Sequence, residues 1–376
     1  MLIKNDDNLA VRTWVEIDRG ALADNYQTFR HLIKPDCQLM AIAKSNAYGH
    51  GLIEYAQLMQ GLGADWLAVD SILEGFKLRQ NKITVPILVL GYTFPELMVE
   101  ALVDNLSITI SSFENLAALA DEKLAGLKIH LKFDTGMHRQ GFFSTDLPQV
   151  LAQLKKIPNI KLEGVFTHLA AAGDLNAPEA TLNQLAEFEK IKKEILDQGF
   201  KPLFHAAASS GTLLYPQAHY DLVRPGISLF GLWPSIQAKN SCASKVELKP
   251  ALTWKSIVSE IKNLPADAPV GYDLTESLPV DGRIAIIPVG YWHGYDRSLS
   301  GLGRVIIKGQ PAKVLGRVSM DMLIVDISQI KDAVVGDEAI LLGEGFSAEQ
   351  MAELAETTNY EIITRLNPLI KRVYLN

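Results

Sequence analysis

A lysine that directly follows a short apolar run is the residue best placed for covalent chemistry. Residues 39–43 (LMAIA) are apolar throughout, which is typical of a strand buried on both faces, and Lys44 comes next. An amine at the end of a buried strand is partly desolvated, which favours the uncharged form that acts as a nucleophile or base. A lysine whose chain simply extends to solvent is the alternative interpretation.

The elements that would position Lys44 alternate between apolar runs and helical patterns. Apolar runs that end in polar or glycine residues occur at 39–43, 66–69, 87–90, 106–110, 128–133, 162–166, 203–206 and 222–223. Helical patterns separate most of them, at 52–62, 71–80, 95–103, 113–124, 147–155 and 177–198. Eight strands separated by helices predict an α/β fold, a (β/α)8 TIM-type barrel, rather than an open doubly wound sheet.

The other unusual polar residues also follow apolar runs. They are Lys132, Arg139, His168, Ser209 and Arg224. Barrel enzymes carry their active sites at the carboxyl ends of the strands, which is where these residues fall. The strands follow from hydrophobicity alone, so the positions of these residues support the barrel independently.

After the predicted barrel, a polar stretch separates the alternating strand and helix patterns from a region of strand-like runs. Residues 235–249 (SIQAKNSCASKVELK) predict a linker or a loose connection. Strand-like runs then occur at 252–261, 283–289, 305–307, 313–315, 322–327 and 338–342, with one helical pattern at 347–356. We therefore expect a barrel domain at 1–240 and a mostly β domain at 241–376, and a strand at about 12–18 that could join the second sheet.

The composition limits the class of protein. A chain of 376 residues that is 48% hydrophobic is long enough for two globular domains, and its net charge of −7 argues against nucleic acid or a membrane as partner. The opening MLIKNDDNLAVR lacks the apolar run of a secretory signal, and no run has the length of a membrane span. Two cysteines, Cys37 and Cys242, are too few for a disulfide framework or thiolate metal site. We expect a cytoplasmic protein without a metal.

Residues 41–51, AIAKSNAYGHG, closely resemble the cofactor-lysine motif of bacterial alanine racemases, usually AVxKANAYGHG. The resemblance implies that Lys44 binds pyridoxal 5'-phosphate (PLP) and that Tyr48 lies near the cofactor phosphate. It extends over nearly the whole chain, from TWVEIDRGALADNYQTFR to the closing NYEIITRLNPLIKRVY. In the closing segment Tyr360 matches a further tyrosine that contacts the phosphate.

The segment at 129–142, IHLKFDTGMHRQGF, resembles the family pattern KxDTGMGRxG. The resemblance implies that Arg139 binds the substrate carboxylate, for which a planar guanidinium is suited. It also implies that Lys132, carbamylated in many members, helps to orient Arg139. His138 stands where the family usually has glycine. Without the family, Lys132 and Asp134 would be interpreted as a structural ion pair.

Two further segments match cofactor contacts of the family. In GVFTHLAAAG the resemblance places His168 beneath the cofactor ring, whereas a lone histidine at a strand end is otherwise more often structural. In FHAAASSGTLLYP, Ser209 matches a phosphate-binding serine, and Ala208 replaces the usual asparagine. In both segments the implied contacts lie at strand ends.

VRPGISLFG, residues 223–231, is the second strong match. Gly226 and Ile227 match positions whose backbone N–H groups hold the phosphate, since consecutive N–H groups form an anion-binding concavity. Arg224 matches the arginine that faces the pyridine nitrogen. Because an arginine cannot accept the ring proton, the implied cofactor is a weaker electron sink, which favours return of a proton to Cα over transamination.

Three patches of the second domain also resemble the family. They are PVGYDLT, VGYWHGYDR and GRVSMDM. Tyr272 matches the second catalytic base, Tyr291 a site tyrosine, Met320 a substrate contact and Asp321 a retained supporting residue. The chain departs from the family at Trp292, His293 and Ser319, where alanine, aspartate and cysteine are usual.

The resemblance implies an isomerase that interconverts L- and D-alanine through a PLP external aldimine and supplies D-alanine for peptidoglycan. Two bases, Lys44 and Tyr272, would act on opposite faces of Cα. The resemblance also implies a homodimer with shared active sites. The alternatives are a racemase for serine or another amino acid, a PLP-dependent decarboxylase of the same fold type and a non-catalytic PLP-binding protein. The decarboxylase would be expected to carry a glycine-rich phosphate loop, and the binding protein to be a single barrel.

Overall fold

Eight parallel strands form a barrel, as the apolar runs predict. The computed structural model describes residues 10–157 and 159–376, so most of the opening stretch in which we expect no secretory signal lies outside the described residues. A first strand, β1 (Thr13–Asp18), precedes the barrel. The barrel strands are β2 (Gln38–Ile42), β3 (Trp66–Val69), β4 (Ile87–Val89), β5 (Ser107–Ile110), β6 (Lys128–Lys132), β7 (Lys161–Phe166), β8 (Leu203–His205) and β9 (Leu222–Val223).

The barrel is closed between its last two strands. The ladder runs in the order β8-β7-β6-β5-β4-β3-β2-β9. The N–H groups of Asp221 and Arg224 donate to the carbonyls of Phe204 and Ala207, at 3.0 and 2.8 Å, and complete the ring. Parallel strands are buried on both faces, which is why these segments read as continuous apolar runs rather than alternating ones. The predicted TIM-type barrel is confirmed.

Helices lie at all six predicted places: Leu52–Gly61, Ile72–Gln80, Met98–Val103, Phe113–Ala118, Leu147–Leu154 and Pro178–Asp197. Three further helices were not predicted, and they are Arg19–Leu32 before β2, Ser209–Leu214 between β8 and β9, and Ile236–Cys242 after β9. Single 3-10 turns occupy Pro95–Leu97, Glu122–Leu124, Ser144–Asp146, Pro216–Ala218 and Ile227–Phe230. The 95–103 and 113–124 patterns thus each combine a short α-helix with a 3-10 turn.

The stretch 235–249 is not the loose connection that its composition predicts. It contains the helix Ile236–Cys242, which begins where the Ser235 hydroxyl accepts the Ala238 N–H at 3.1 Å. A serine at this position satisfies an N–H group that the first turn leaves unpaired. Only Ala238 of this helix is buried, so its sequence carries little hydrophobic signal.

A large sheet is formed by β1 and the strands after the barrel. These are β10 (Leu252–Ile257), β11 (Glu260–Leu264), β12 (Pro269–Val270), β13 (Glu276–Ser277), β14 (Gly282–Ile287), β15 (Arg304–Ile307), β16 (Gln310–Leu315), β17 (Leu323–Asp326), β18 (Glu338–Leu342) and β19 (Lys371–Leu375). Nine of them pair in the order β11-β14-β17-β16-β15-β18-β10-β1-β19, while β12 pairs with β13. The N-terminal strand β1 lies antiparallel to β10 and parallel to β19.

Short helical segments complete this second region. They are the α-helices Ala348–Leu354 and Asn359–Thr364 and the 3-10 turns Tyr272–Leu274, Tyr291–His293 and Arg297–Leu299. Val270, Leu278, Ile284 and Leu315 form a small buried core of this region. The predicted mostly β region after the barrel is confirmed.

The described chain divides into two compact units. The barrel unit consists of Ala21–Ala47 and Leu52–Lys249, and the β unit of Tyr48–Gly51, Pro250–Asn376 and the described residues up to Gly20. Across the described ranges, no helix combines the length and the apolar character needed to cross a membrane.

Candidate active site

Lys44 begins a turn of left-handed helix. Four consecutive residues, Ser45, Asn46, Ala47 and Tyr48, have φ between 50° and 57°. L-residues other than glycine pay about 1–2 kcal/mol each for this conformation, so the turn costs roughly 4–8 kcal/mol. Strain of this size persists only where surrounding contacts hold it, and such contacts are typical of functional sites.

Backbone and amide groups fix both ends of the turn. The Ala47 N–H donates to the Ala43 carbonyl at 2.8 Å, and the Leu52 N–H donates to Asn46 Oδ1 at 3.0 Å. Lys44 is half-buried and comes two residues after the end of β2. The turn therefore presents the Lys44 amine at the carboxyl end of the barrel.

Lys132, the last residue of β6, is a buried amine in a cationic environment. Its Nζ donates to Gln140 Oε1 at 2.9 Å, and Gln140 Nε2 donates to Ser111 Oγ at 3.0 Å. Burial, together with the charges of Arg139, Arg224 and Lys44, lowers the pKa of Lys132 to about 8 against the opposing effect of Asp134. A substantial fraction of this amine is therefore uncharged near pH 8.

Asp134 organises the loop that carries Arg139. Its Oδ1 accepts the N–H groups of Gly136, Met137 and His138 at 2.9–3.0 Å, and Oδ2 accepts the Arg139 N–H at 3.0 Å. These backbone bonds hold the Asp134 pKa low in spite of the burial that opposes them. The Asp134 oxygens thus accept hydrogen bonds from backbone N–H groups of the loop. Lys132 donates to Gln140 and does not form the ion pair with Asp134 that the sequence would indicate without the family resemblance.

His138 occupies a backbone position suited to glycine. Its φ is 55°, the left-handed region that a glycine adopts without steric cost. The imidazole is 74% exposed, and Arg139 is exposed as well. The departure from the glycine of the resembling pattern therefore leaves the loop conformation in place and adds an exposed ring beside Arg139.

Arg224 is a buried cation inside the barrel mouth. Its guanidinium donates to the Thr167 carbonyl at 2.8 Å, the Ala206 carbonyl at 3.0 Å and His205 Nδ1 at 2.8 Å. It also lies 5.2 Å from the centre of the Phe166 ring. Burial lowers the pKa of Arg224 to about 9, so the group remains a cation at neutral pH.

Two histidines extend from Arg224 into the barrel interior. His205 Nε2 lies 2.9 Å from His130 Nδ1, and His130 Nε2 is 3.7 Å from Glu163, too long for a hydrogen bond. Because His205 Nδ1 accepts from Arg224, a neutral His205 carries its proton on Nε2 and donates to His130. Burial holds the pKa of both histidines low, and the Arg224 charge acts in the same direction.

His168 is a neutral imidazole surrounded by positive charge. Burial, together with the charges of Arg224, Arg139, Lys132 and Lys44, lowers its pKa to about 3. An Arg224 terminal nitrogen lies 3.4 Å from His168 Nδ1. The arrangement brings four cations of the barrel unit to one place, as the strand-end positions predict.

Ser209 joins two backbone segments at the same end of the barrel. It begins the helix Ser209–Leu214, and its buried Oγ accepts the N–H groups of Gly226 and Ser228, at 3.0 and 3.4 Å. Ile227 lies between these two residues and opens the 3-10 turn Ile227–Phe230. N–H groups at the start of a helical turn are ordinary donors to an anion.

Tyr48 and Tyr360 lie together in the β unit. Their ring centroids are 6.2 Å apart, and burial raises the pKa of Tyr48 to about 12. Gly49 next to them is required: a Cβ there would lie 2.1 Å from the Ile363 carbonyl oxygen, and its φ is 84°. Arg372 Nε donates to the Gly49 carbonyl at 3.0 Å and further fixes the segment.

The remaining predicted residues lie on connected loops of the β unit. Tyr291 and Trp292 donate their N–H groups to the carbonyls of Ser319 and Met320, both at 3.0 Å. Tyr272 is 69% exposed, while Asp321 Oδ1 lies 3.9 Å from His293 Nδ1. His293 is buried and accepts the Gly290 N–H at 3.2 Å, so the histidine at the usual aspartate has a structural contact. The Trp292 side chain remains 58% exposed.

Sequence reasoning did not select His130, His205 or Gln140. His130 and His205 lie inside strands that read as buried, and only their burial next to one another, which the barrel register creates, marks them as partners of Arg224. One feature of the sequence could have indicated the buried His130: a glycine, Gly164, lies within the strand β7, and a Cβ there would lie 2.2 Å from His130 Nδ1. A glycine within a strand often marks such a close approach.

Comparison with known families gives a consistent result over the whole chain. Residues 17–234 match the family model described as "Alanine racemase, N-terminal domain", and residues 251–374 match "Alanine racemase, C-terminal domain". An alanine racemase of Leptospira interrogans is 37% identical over 374 residues, which cover 97% of this chain and 96% of the relative. One of Syntrophobacter fumaroxidans is 39% identical and covers 93% and 94%.

Solved structures agree with the sequence comparisons. The alanine racemase of Clostridium difficile 630 superposes with a TM-score of 0.92 at 34% identity, covering 98% of this chain and 96% of that one. The alanine racemase of Bacillus anthracis with bound L-Ala-P superposes with a TM-score of 0.92 at 30% identity, covering 97% and 95%.

Proposed function

The chain belongs to the alanine racemase family, and we propose that Lys44 holds its cofactor, PLP, at the carboxyl end of the barrel. The reaction is the interconversion of L- and D-alanine, which full-length similarity to alanine racemases supports. The proposal adds which residues of this chain carry out the reaction and how two copies of the chain share it.

The observation that carries the proposal is the convergence of four cations on His168. Lys44, Lys132, Arg139 and Arg224 all lower the pKa of that imidazole. Like charges repel, so such a cluster is favourable when an anionic ligand compensates it. PLP and the carboxylate of an amino acid supply the negative charge, and the neutral imidazole of His168 offers a face beneath a planar ring.

Backbone groups near Ser209 fit the phosphate of PLP. The N–H groups of Gly226 and Ser228 converge on Ser209 Oγ, and phosphate oxygens accept hydrogen bonds from the same kind of donors. Ile227 lies within this segment, and Tyr48 and Tyr360 are the further phosphate contacts that the family resemblance implies. Arg224, fixed by the acceptors Thr167, Ala206 and His205, would face the ring nitrogen as a donor only.

When bound, PLP withdraws electrons from Cα of the amino acid and makes its proton removable. The protein residues then move that proton. We propose that the Lys44 amine removes or returns it on one face and that the Tyr272 hydroxyl does so on the other. Arg139 holds the substrate carboxylate so that Cα stays between the two bases.

Lys132 supports Arg139 in this proposal. Its uncharged amine, abundant near pH 8, adds to dissolved CO2: a nitrogen–carbon bond forms and the amine proton leaves to solvent. The resulting carbamate would replace a buried cation by an anion beside Arg139. Intact-mass measurement in CO2-saturated buffer, with Lys132→Met as control, tests this step.

Two subunits share the sites in the proposed dimer. The loops that carry Tyr272, Tyr291 and Met320 also expose Leu274, Trp292 and Met322, and each of these six side chains is at least 43% exposed. Apolar side chains on connected loops favour an interface with a second copy. Mixing Lys44→Ala subunits with Tyr272→Phe subunits tests this arrangement, since neither variant alone should racemise alanine at the native rate. If the sites are shared, a mixed dimer has one site with both native residues, and racemisation is restored. If each site lies within one subunit, the mixture stays inactive.

We also propose that the enzyme acts in the cytoplasm and supplies D-alanine for peptidoglycan. Its two cysteines are free thiols, which is consistent with a reducing compartment. Met320 is the proposed further contact with the substrate, and Asp321 is the proposed supporting residue of its loop.

Deuterium exchange at Cα tests the proposed chemistry. With PLP in D2O, the protein should exchange the Cα proton of both L- and D-alanine, as followed by proton NMR. Lys44→Ala should abolish exchange, while Lys161→Ala, which removes an exposed lysine at the opposite end of a barrel strand, should retain it. Equal exchange by Lys44→Ala and the native protein would refute the assigned role.

A further inference from the structure

We propose that Glu74 is a positioning residue that holds the left-handed turn of Lys44 in place. Glu74 lies in the first turn of the helix Ile72–Gln80, between β3 and β4, and is half-buried. The proposal rests on the proposed function in one respect, since Lys44 is taken as the cofactor lysine.

The Glu74 carboxylate joins the ends of two neighbouring barrel strands. On one side, Oε1 accepts the N–H groups of Ser45 and Asn46, at 2.8 and 3.4 Å. On the other side, Oε2 accepts the N–H groups of Asp70 and Ser71, at 2.9 and 3.3 Å. Four backbone N–H groups therefore converge on one anion, and they come from the segments that follow β2 and β3.

One half of this arrangement is an ordinary helix cap. The Ser71 hydroxyl accepts the Glu74 N–H at 3.3 Å while Glu74 accepts the Ser71 N–H, which is a capping box. A capping box uses one carboxylate oxygen and contacts only its own helix. The bonds from Oε1 to Ser45 and Asn46 lie outside that motif, so the cap does not account for them.

The contacts fall on the strained part of the chain. Ser45 and Asn46 have φ of 57° and 55°, and their N–H groups point away from the barrel ladder toward Glu74. A left-handed turn of non-glycine residues persists only where surrounding contacts hold it, and the bonds to Glu74 are such contacts. Because Lys44 directly precedes these two residues, a turn released from Glu74 would leave the amine without a fixed direction.

Site-resolved hydrogen exchange of the full chain, prepared without PLP, tests whether Glu74 holds the turn. Glu74→Ala should accelerate exchange of the Ser45 and Asn46 amides about tenfold or more, the effect expected for losing a hydrogen bond to a charged acceptor. Ser71→Ala removes the other half of the capping box and should leave these two amides unchanged. Glu74→Gln, which retains one acceptor oxygen, should restore part of the protection.

The second readout is the fraction of Lys44 that is labelled when the protein is reduced with borohydride at a limiting PLP concentration. Glu74→Ala should lower this fraction about tenfold, whereas Ser71→Ala should match the native protein. Glu114→Gln is a second control that should also match it, because it removes an exposed carboxylate from the first turn of another helix, Phe113–Ala118.

Equal acceleration of exchange by Glu74→Ala and Ser71→Ala would overturn the proposal, because Glu74 would then be only a cap. Faster exchange with unchanged labelling would also overturn it. A native protein without label at Lys44 would refute the cofactor role instead, and exchange would still decide whether Glu74 holds the turn.

Discussion

Replacing Arg224 by lysine should make folding stability depend on pH in a way that reveals how strongly the site disfavours a cation. Burial lowers the pKa of Arg224 from 12.5 to about 9. A lysine has an ordinary pKa of about 10.4, so the same burial would bring its ammonium to about 7. Lysine also lacks the planar fork that bonds His205, Thr167 and Ala206, and losing one such charged hydrogen bond costs about 1.5–3 kcal/mol.

The sign of the pH effect follows from proton binding. Between pH 7 and 10 the unfolded Arg224→Lys variant binds a proton at this lysine that the folded variant has released, so its stability rises with pH by up to about 1.4 kcal/mol per unit. In the native protein Arg224 stays protonated in both states below about pH 9. The stability difference between the two proteins should therefore shrink by up to about 2.7 kcal/mol from pH 7 to 9.

Urea denaturation of both proteins at several pH values measures this difference and cancels the other titrating groups. Arg79→Lys is the matched control, because the Arg79 guanidinium is likewise held by several acceptors, in its case four backbone carbonyls, but is only half-buried. The stability difference between Arg79→Lys and the native protein should change less with pH than that between Arg224→Lys and the native protein. A difference for Arg224→Lys that stays constant from pH 7 to 9 would refute the reasoning that burial opposes the charge.

Three further changes have defined outcomes. Gly164→Ala should lower the free energy of unfolding by about 1–3 kcal/mol in urea, because its Cβ would overlap His130, and an unchanged midpoint would contradict the packing. His138→Gly should raise the free energy of unfolding by about 0.5–1 kcal/mol in the same assay, since φ is 55°, and destabilisation would contradict it. Tyr272→Phe should slow Cα deuterium exchange from L-alanine by about 10²–10⁴-fold while Lys44 still exchanges D-alanine, as measured by NMR; equal losses would indicate one base.

The barrel could be predicted because its signal is local. Strands buried on both faces are apolar throughout, so β3 and β9 were predicted with the same bounds as observed. The helix Ile236–Cys242 was missed because it buries one residue and otherwise looks like a polar linker. The helix Asn359–Thr364 was also missed, because no 3.6-residue pattern develops within its six residues.

The site was predictable as residues but not as geometry. The motif around Lys44 identifies the lysine, yet nothing in Ser45, Ala47 or Tyr48 signals a left-handed backbone, because each residue ordinarily prefers the right-handed region. The turn depends on tertiary contacts such as that of Glu74, which lies 30 residues further along the chain. The roles of Asp134 and Gln140 likewise depend on which backbone and side-chain groups the barrel brings together.

The most direct test of the account is the position of the bond between protein and cofactor. The protein is incubated with PLP, reduced with borohydride and digested, and the peptides are sequenced by mass spectrometry. We expect the phosphopyridoxyl group on Lys44, within AIAKSNAYGHG, and loss of the label when excess D- or L-alanine is added before reduction. Recovery of the label on Lys132 or another lysine, or no specific label, would contradict the account.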